Sequence, residues 1–327
     1  MSITLFSCDD GFGDIKILQG DPGQRIRHTL PSRAQSGDWY QAGLGTAAEE
    51  SAVYETEGGT FTVGESLQAE DTRFSDYAVS PLNRVLVAHA LRHAGARAPF
   101  ALAVGLPLRD YFRANGTPNE GRIAAKRQNH LTPVRLRTID GPVDLPVPQV
   151  VHILPQSLVV AMGADIGDEE DAPVAVVDVG SRTTDITVVQ QGRVDFTRCG
   201  TLPDLGVAAA IDRFQGAVED ATGQRLTRNV AQNALIHQKP IKLYGQAVAA
   251  DIVNHARAKA IQAIAASMTH GVEQQARTLA DCAAVILIGG GAYLFADVLP
   301  WPHARAHADP VFANADAWHT LLEAQNP

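Results

Sequence analysis

Val176-Val177-Asp178-Val179-Gly180-Ser181-Arg182-Thr183-Thr184-Asp185-Ile186-Thr187-Val188 repeats, at domain-scale separation, the plan of Ser7-Cys8-Asp9-Asp10-Gly11-Phe12-Gly13-Asp14-Ile15-Lys16-Ile17. Each is an apolar strand ending in Asp-x-Gly, then a polar turn, then Asp-Ile and an alternating strand. Asp-Gly alone is ordinary turn chemistry. Two copies in one chain point instead to a duplicated element. Glycine lets backbone approach an anion closely, and successive turn N–H groups form a concave nest for phosphate oxygens. Two such hairpins would clamp one triphosphate. Asp9 and Asp178 would then face a phosphate-bound Mg²⁺, which keeps most of its waters and takes one or two carboxylates. Lys16 follows the first turn directly in a chain with only five lysines, so it is a candidate phosphate contact, with a plain exposed strand residue as the alternative.

Working outward, Thr4 to Leu30 reads as a β-meander, because Leu5, Ile15, Ile17, Ile26 and Leu30 sit around Gly11, Gly13, Gly20, Pro22 and Gly23. Ser36 to Ser80 is rich in Gly, Thr and Glu with scattered aromatics (Trp39, Tyr40, Tyr54, Phe61, Phe74, Tyr77), and is expected to be an inserted flap rather than a core layer. Helical spacing predicts a helix over Pro81 to Ala94, a buried strand over Phe100 to Leu106, and a helix over 119–129 capped by Asn119. A strand from Val147 to Ile153 leads to Pro155, after which a helix is expected near Gln156. Helical character returns over Asp204 to Phe214 and Gly245 to Asp281, the latter suiting packing onto a sheet better than a partner-binding rod. Val285-Ile286-Leu287-Ile288 then runs into Gly289-Gly290-Gly291 and a short helix. That junction suits a flat ring or a phosphate, although glycines there also serve packing. Alternating strands and helices in both halves imply an α/β architecture.

The chain has 327 residues, about twice a typical domain, so two domains are expected, with the acidic loop Asp165 to Asp171 as the candidate boundary. A net charge of -9 argues against a dedicated nucleic-acid binder. Cys8, Cys199 and Cys282 lie far apart with no metal-cage spacing, which implies a reducing, cytoplasmic compartment. The eleven histidines have no ligand spacing either, and none is assigned a role. The N-terminus lacks a signal peptide's basic region, and the apolar run Cys282 to Ala296 holds three glycines, so no targeting or membrane segment is expected. Neither Gly-x-x-x-x-Gly-Lys-[Ser/Thr] nor a post-strand Gly-x-Gly-x-x-Gly occurs, which disfavours Walker and Rossmann sites.

The two hairpins and Ile288-Gly289-Gly290-Gly291 resemble, in order and spacing, the phosphate 1, phosphate 2 and adenosine motifs of the actin-like ATPases. Gly105-Leu106-Pro107-Leu108-Arg109-Asp110-Tyr111-Phe112, then Asn115, Pro118-Asn119 and a basic helix, resemble the bacterial plasmid-segregation actins of the ParM (StbA) type. The resemblance covers nearly the whole chain and is weakest in the flap and from Pro300 to Asp309. It implies an actin-like, ribonuclease H-like α/β fold in which two domains of duplicated βββαβα plan flank a cleft for ATP or ADP and Mg²⁺. Domain I would span 1–160, with the flap at about 33–80 and a C-terminal return over 310–327, and domain II would span 161–309.

By the same resemblance, Asp9 and Asp178 are the Mg²⁺-side carboxylates. Gly11, Phe12, Gly13, Lys16, Gly180, Ser181, Arg182 and Thr183 fall in the phosphate cradle, and Gly289, Gly290 and Gly291 in the adenosine loop. Gln156 stands where family members carry a Glu or Gln that orients the attacking water, with Asp178 sharing that water or the metal shell. Phe12 departs from the family, standing where related turns often carry Ser or Thr, so one side-chain phosphate contact is lost. The implied function is a filament-forming, Mg²⁺-dependent ATPase that segregates plasmid DNA through a separate ParR-like DNA-binding adaptor, binding neither DNA nor membrane directly. A metabolite kinase of the same superfamily fold and a non-polymerising, ATP-gated binding module are the alternatives.

Overall fold

The computed structural model describes residues 3–20, 24–39, 51–64, 74, 76–165 and 171–325. The chain divides into two compact units, Met1–Val159 with Phe312–Pro327, and Val160–Val311. Residues 166–170 of the expected boundary loop, and Tyr40 of the expected flap, lie outside the described residues.

In the first unit, β1 (Thr4–Asp10), β2 (Asp14–Gln19) and β3 (Ile26–Pro31) form the expected meander. β4 (Ala34–Ser36), β5 (Ala52–Thr56) and β6 (Gly59–Val63) follow, then a 3₁₀ turn over Tyr77–Val79 and helix α1 (Pro81–His93). Ser80 caps α1 by accepting from the Asn83 N–H at 3.1 Å, and Pro81 fills the first helical position, where its missing N–H costs nothing. β7 (Phe100–Leu106) is the expected buried strand, followed by α2 (Leu108–Tyr111). α3 (Glu120–Leu131) starts at its Asn119 cap. β8 (Arg135–Thr138), β9 (Gly141–Asp144), β10 (Val150–Pro155) and α4 (Leu158–Met162) complete this stretch.

The main sheet has the order β10-β7-β1-β2-β3, parallel from β10 to β1 and antiparallel beyond. A second sheet has the order β4-β6-β5-β8-β9. It contains the three strands of the expected flap, β4, β5 and β6. Tyr54, Phe61 and Tyr77 are buried in the same cluster as Phe6, Leu102 and Val104, so they are core and not insert decoration. The sheet also recruits β8 and β9, which carry no strong apolar alternation: β8 pairs with β5, and β9 with β8. Trp39 and Phe74 do remain exposed.

The second unit repeats the plan. β11 (Val174–Val179) pairs antiparallel with β12 (Thr183–Gln190), followed by β13 (Arg193–Val194), β14 (Gly200–Pro203), α5 (Val207–Thr222) and α6 (Arg228–His237). A hairpin of β15 (Lys242–Leu243) and β16 (Gln246–Ala247) precedes α7 (Ala250–Ala276), so the long helix is shorter than its composition suggested: Gly245 belongs to the hairpin turn. β17 (Ala284–Ile288), α8 (Ala292–Phe295) and β18 (Ala304–Ala306) end the unit. β11 is parallel to β17, as β1 is to β7, so each unit places an antiparallel hairpin beside a parallel crossover strand. α7 buries Ala260, Ile264, Met268 and Val272 in the cluster that holds Phe214 of α5 and Val188 of β12, which is the packing role expected of it.

Finally α9 (Ala313–Gln325) returns to the first unit. Its Trp318 is fully buried and donates Nε1–H to the Pro155 carbonyl at 3.3 Å. Gly105 of β7 makes room for it, since a Cβ there would stand 2.4 Å from Trp318 Cη2. His319 Nε2 lies 3.0 Å from the Gly20 carbonyl, which requires a proton on that nitrogen, so Nδ1 accepts from Ser7 Oγ at 3.0 Å.

Burial of polar side chains in this unit carries a pH signature. His89 of α1 is buried with Nδ1 2.7 Å from the Tyr54 hydroxyl, and desolvation, reinforced by His93 and Arg92, lowers its pKa to about 3. The folded state therefore holds it neutral; the stability it contributes is complete above its ordinary pKa of about 6.5 and is lost as pH falls from there toward about 3. His89→Gln, which keeps a polar group for Tyr54, is expected to reduce the pH slope of unfolding free energy between pH ~6.5 and ~5 by up to about 1.4 kcal/mol per pH unit, one proton's worth. Urea unfolding over that range measures it, and an unchanged slope would refute the assignment.

Candidate functional site

Side chains alternate along a strand, so neighbouring Asp9 and Asp10 at the end of β1 leave on opposite faces. Asp9 is buried and accepts from Lys16 Nζ at 3.1 Å across the β1–β2 register. The ammonium lies over the turn: a Cβ at Gly11 would be 3.4 Å from Lys16 Nζ and 3.2 Å from the Asp14 carbonyl. The turn itself is pinned from outside, because Ser32 donates its hydroxyl to the Gly11 carbonyl at 2.7 Å and its N–H to the Gly13 carbonyl at 2.9 Å. Phe12, the departure from a hydroxyl residue, is half-buried with its ring 5.3 Å from that of Tyr77. The substitution therefore exchanges a polar contact for apolar packing.

Asp10 points the other way. Its carboxylate accepts from Asn83 Nδ2 of α1 at 2.7 Å and is in contact with Lys126 Nζ of α3, which has no solvent exposure. Burial pushes the Asp10 carboxyl up and the Lys126 ammonium opposes it. This buried pair was not foreseen in the sequence. The available signal was a lysine three residues after Ile123, on the apolar stripe of α3, where a solvated side chain does not belong.

Gln156 follows β10 at the same sheet edge as the Asp9 turn, since β10, β7 and β1 run parallel and end together. Its N–H donates to the Leu106 carbonyl at 2.9 Å, and a Cβ at Gly105 would stand 2.9 Å from its Cγ. The helix expected near Gln156 begins instead at Leu158, because Ser157 adopts φ 62, with its N–H donated to Asn314 Oδ1 at 2.8 Å. The amide thus sits on a turn fixed by β7 and α9. The carboxyl edge of parallel strands is where α/β sheets bind ligands.

In the second unit, Asp178 is the penultimate residue of β11 and pairs with Ile288 of β17. The Gly180 N–H donates to the Thr183 carbonyl at 2.9 Å, closing the turn. α5 begins against it, with the Val207 N–H on the Gly180 carbonyl at 3.1 Å and the Ala208 N–H on the Ser181 carbonyl at 2.8 Å. Thr183 Oγ1 donates to Asp185 Oδ2 at 2.9 Å, and Thr201 donates to the other oxygen, so the Thr183 hydroxyl serves the hairpin itself. Ser181 and Arg182 are half-exposed on the turn.

The three glycines after β17 divide by role. Gly289 has φ 81, and a Cβ there would meet Asp178 Oδ1 at 2.4 Å; one at Gly291 would meet Val179 Cγ1 at 2.4 Å. Both are therefore required by close packing onto β11, whereas Gly290 opens to solvent with nothing within 4 Å of a Cβ. Asp178, the Gly180 turn and the glycine run thus meet within the second unit, while Asp9, Lys16 and Gln156 share one sheet edge of the first.

Residues 4–166 match the family described as Plasmid segregation protein ParM, N-terminal, and residues 176–300 match Archaeal actin homologue MreB-like, C-terminal. The chain belongs to the actin-like ParM/StbA family. No curated protein matches it in sequence. Its fold is that of the archaeal actin homologue Ta0583, at 21% identity and a TM-score of 0.74 over 98% of this chain and 100% of that one. Ta0583 has also been solved in complex with ADP, at 21% identity and a TM-score of 0.75 over 98% of this chain and 100% of that one. A 15-stranded ParM filament from Clostridium botulinum is similar at 17% identity and a TM-score of 0.74, covering 99% of this chain and 100% of that chain.

The residues present fit a nucleotide with a magnesium ion better than a metal alone. Among the described residues no group of three or more His, Cys, Asp and Glu side chains forms a cage. Mg²⁺ needs no cage, since it binds through phosphates, waters and one or two carboxylates. Lys16 over the Gly11 turn suits a phosphate oxygen, and Asp9 would hold that ammonium in place. No helix among the described residues is long and apolar enough to cross a membrane.

The buried Asp10–Lys126 contact supplies a direct test. Lys126→Met leaves a carboxylate buried without its cation and is expected to lower stability by about 3–5 kcal/mol. Asp10→Asn combined with Lys126→Met removes the stranded charge and should recover much of that loss. Chemical denaturation of the three proteins decides it, and a double variant no more stable than Lys126→Met would refute the pairing.

Proposed function

We propose that this protein is a filament-forming ATPase that moves plasmid DNA through a separate DNA-binding adaptor. The observation that carries the reading is Lys16, held by Asp9 over the Gly11 turn, as a phosphate contact requires. The ParM match over residues 4–166 and the filament and ADP complex of the two similar proteins support it. A net charge of -9 agrees with indirect attachment to DNA.

In this reading Gly11 to Gly13, Lys16 and Gly180 to Thr183 bind the phosphates, and Gly289 to Gly291 form the adenosine loop. Mg²⁺, when bound with the nucleotide, would neutralise charge on the phosphates, with Asp9 and Asp178 as the carboxylates nearest its waters. Gln156 carries a neutral amide, a poor base, so its work is to orient the attacking water. Its backbone is already fixed by Leu106, and the next residue by Asn314, so only the side-chain rotamer remains to be ordered.

Gln156→Ala is expected to slow ATP turnover by roughly 10²-fold while leaving nucleotide affinity nearly intact. Equal loss of both would remove the water-orienting role. Asp178→Ala should abolish Mg²⁺-dependent hydrolysis, measured as phosphate release. Sedimentation with ATP and Mg²⁺ tests the function as a whole: polymer that forms only with nucleotide supports it, whereas phosphate release that depends on an added sugar would indicate a kinase instead.

A further inference from the structure

The segment from Ala221 to Ala250 holds Arg225, Arg228, Lys239 and Lys242 and no Asp or Glu, in a chain whose net charge is -9. Of the five lysines, Lys16 and Lys126 are committed to Asp9 and Asp10, while Lys239 and Lys242 are exposed with no ionic partner among the described residues. Between and beyond them the chain forms the β15–β16 hairpin, whose register leaves a two-residue loop, Tyr244-Gly245. Both loop residues have positive φ, 51 and 81, the backbone of a type I′ turn, which favours Asn or Gly at the position Tyr244 occupies. Tyr244 is nevertheless there, 87% exposed.

The exposure is not that of a loose loop. Ile241 is buried in the core of the unit, Leu243 packs against the same cluster, and the Val248 N–H closes onto the Ile241 carbonyl at 2.9 Å. A rigid base thus presents a strained, water-exposed aromatic, with Lys242 two residues before it and Lys239 five. A presented tyrosine loses little entropy on binding, which is why the residue is favoured at interface centres.

Resting on the assembly reading above, we infer that this hairpin tip is a subunit contact which docks on an acidic surface of a second copy of the chain. Charge complementarity favours that occupant, because acidic residues exceed basic ones over the chain, 36 to 27, while the tip carries Lys239 and Lys242 exposed. The same charges set the geometry of the contact. Two basic tips repel, so the tip meets a different surface on its neighbour, an arrangement compatible with the head-to-tail contact that an open filament needs.

The test uses the full chain with ATP and Mg²⁺ in a pelleting assay, comparing wild type with Lys239→Glu/Lys242→Glu and with Tyr244→Asn, which tolerates the left-handed turn. Each variant is expected to raise the critical concentration at least about tenfold, equivalent to about 1.4 kcal/mol per contact, with nucleotide affinity and thermal midpoint unchanged. Wild-type polymer should also diminish as salt rises. Variants that assemble at the wild-type critical concentration would overturn the contact while leaving the assembly reading intact; a wild type that never pellets with nucleotide would overturn both. Lysine-dependent retardation of DNA, with assembly of the variants unaltered, would reassign the tip to a nucleic acid.

Discussion

Strand alternation at the end of β1 sends two adjacent carboxylates to opposite faces of one sheet, and the first unit is organised around satisfying both. Asp9 takes Lys16 from the neighbouring strand, at the surface of the turn. Asp10 takes Lys126 and Asn83 from α3 and α1, in the interior. An ion removed from water needs both a counter-charge and hydrogen bonds, so the inner pair ties two helices to the strand that carries the candidate site. The outer pair leaves its ammonium beside the glycines.

The second unit reaches the same backbone plan by other means. Its turn contains no lysine; the hydroxyls of Thr183 and Thr201 donate to Asp185, and the first turn of α5 donates to the carbonyls of Gly180 and Ser181. Close approach of β17 to β11 then requires glycine at 289 and 291. Duplication is therefore kept in hairpin geometry but not in side-chain support: Lys16 meets Asp9 beside one turn, and Thr183 and Thr201 meet Asp185 beside the other.

Much of this was legible because it is local. The meander shows in β-branched residues between glycines, α1 in Ser80-Pro81, α3 in Asn119, and β17 in an uninterrupted apolar run. What the sequence left unread or placed differently has a common origin in contacts distant along the chain. β8 is a strand because β5 offers an edge, and β9 because β8 does; α9 docks through one tryptophan seated over Gly105; Gly245 leaves the long helical stretch because Leu243 and Gln246 pair. Gln156 stands two residues before its helix because Asn314 holds Ser157 in a left-handed conformation.

Read alone, the sequence determined the repeated Asp-x-Gly hairpins, the third glycine run and the α/β class, since turn chemistry and hydrophobic period act over a few residues. The tertiary structure decided what surrounds them. It showed that Tyr54 and Phe61 are core, that two of the three glycines answer to packing, that one lysine is buried against Asp10, and that Tyr244 stands exposed at a hairpin tip. Burial and charge pairing depend on which elements meet, and no spacing along a single chain specifies that.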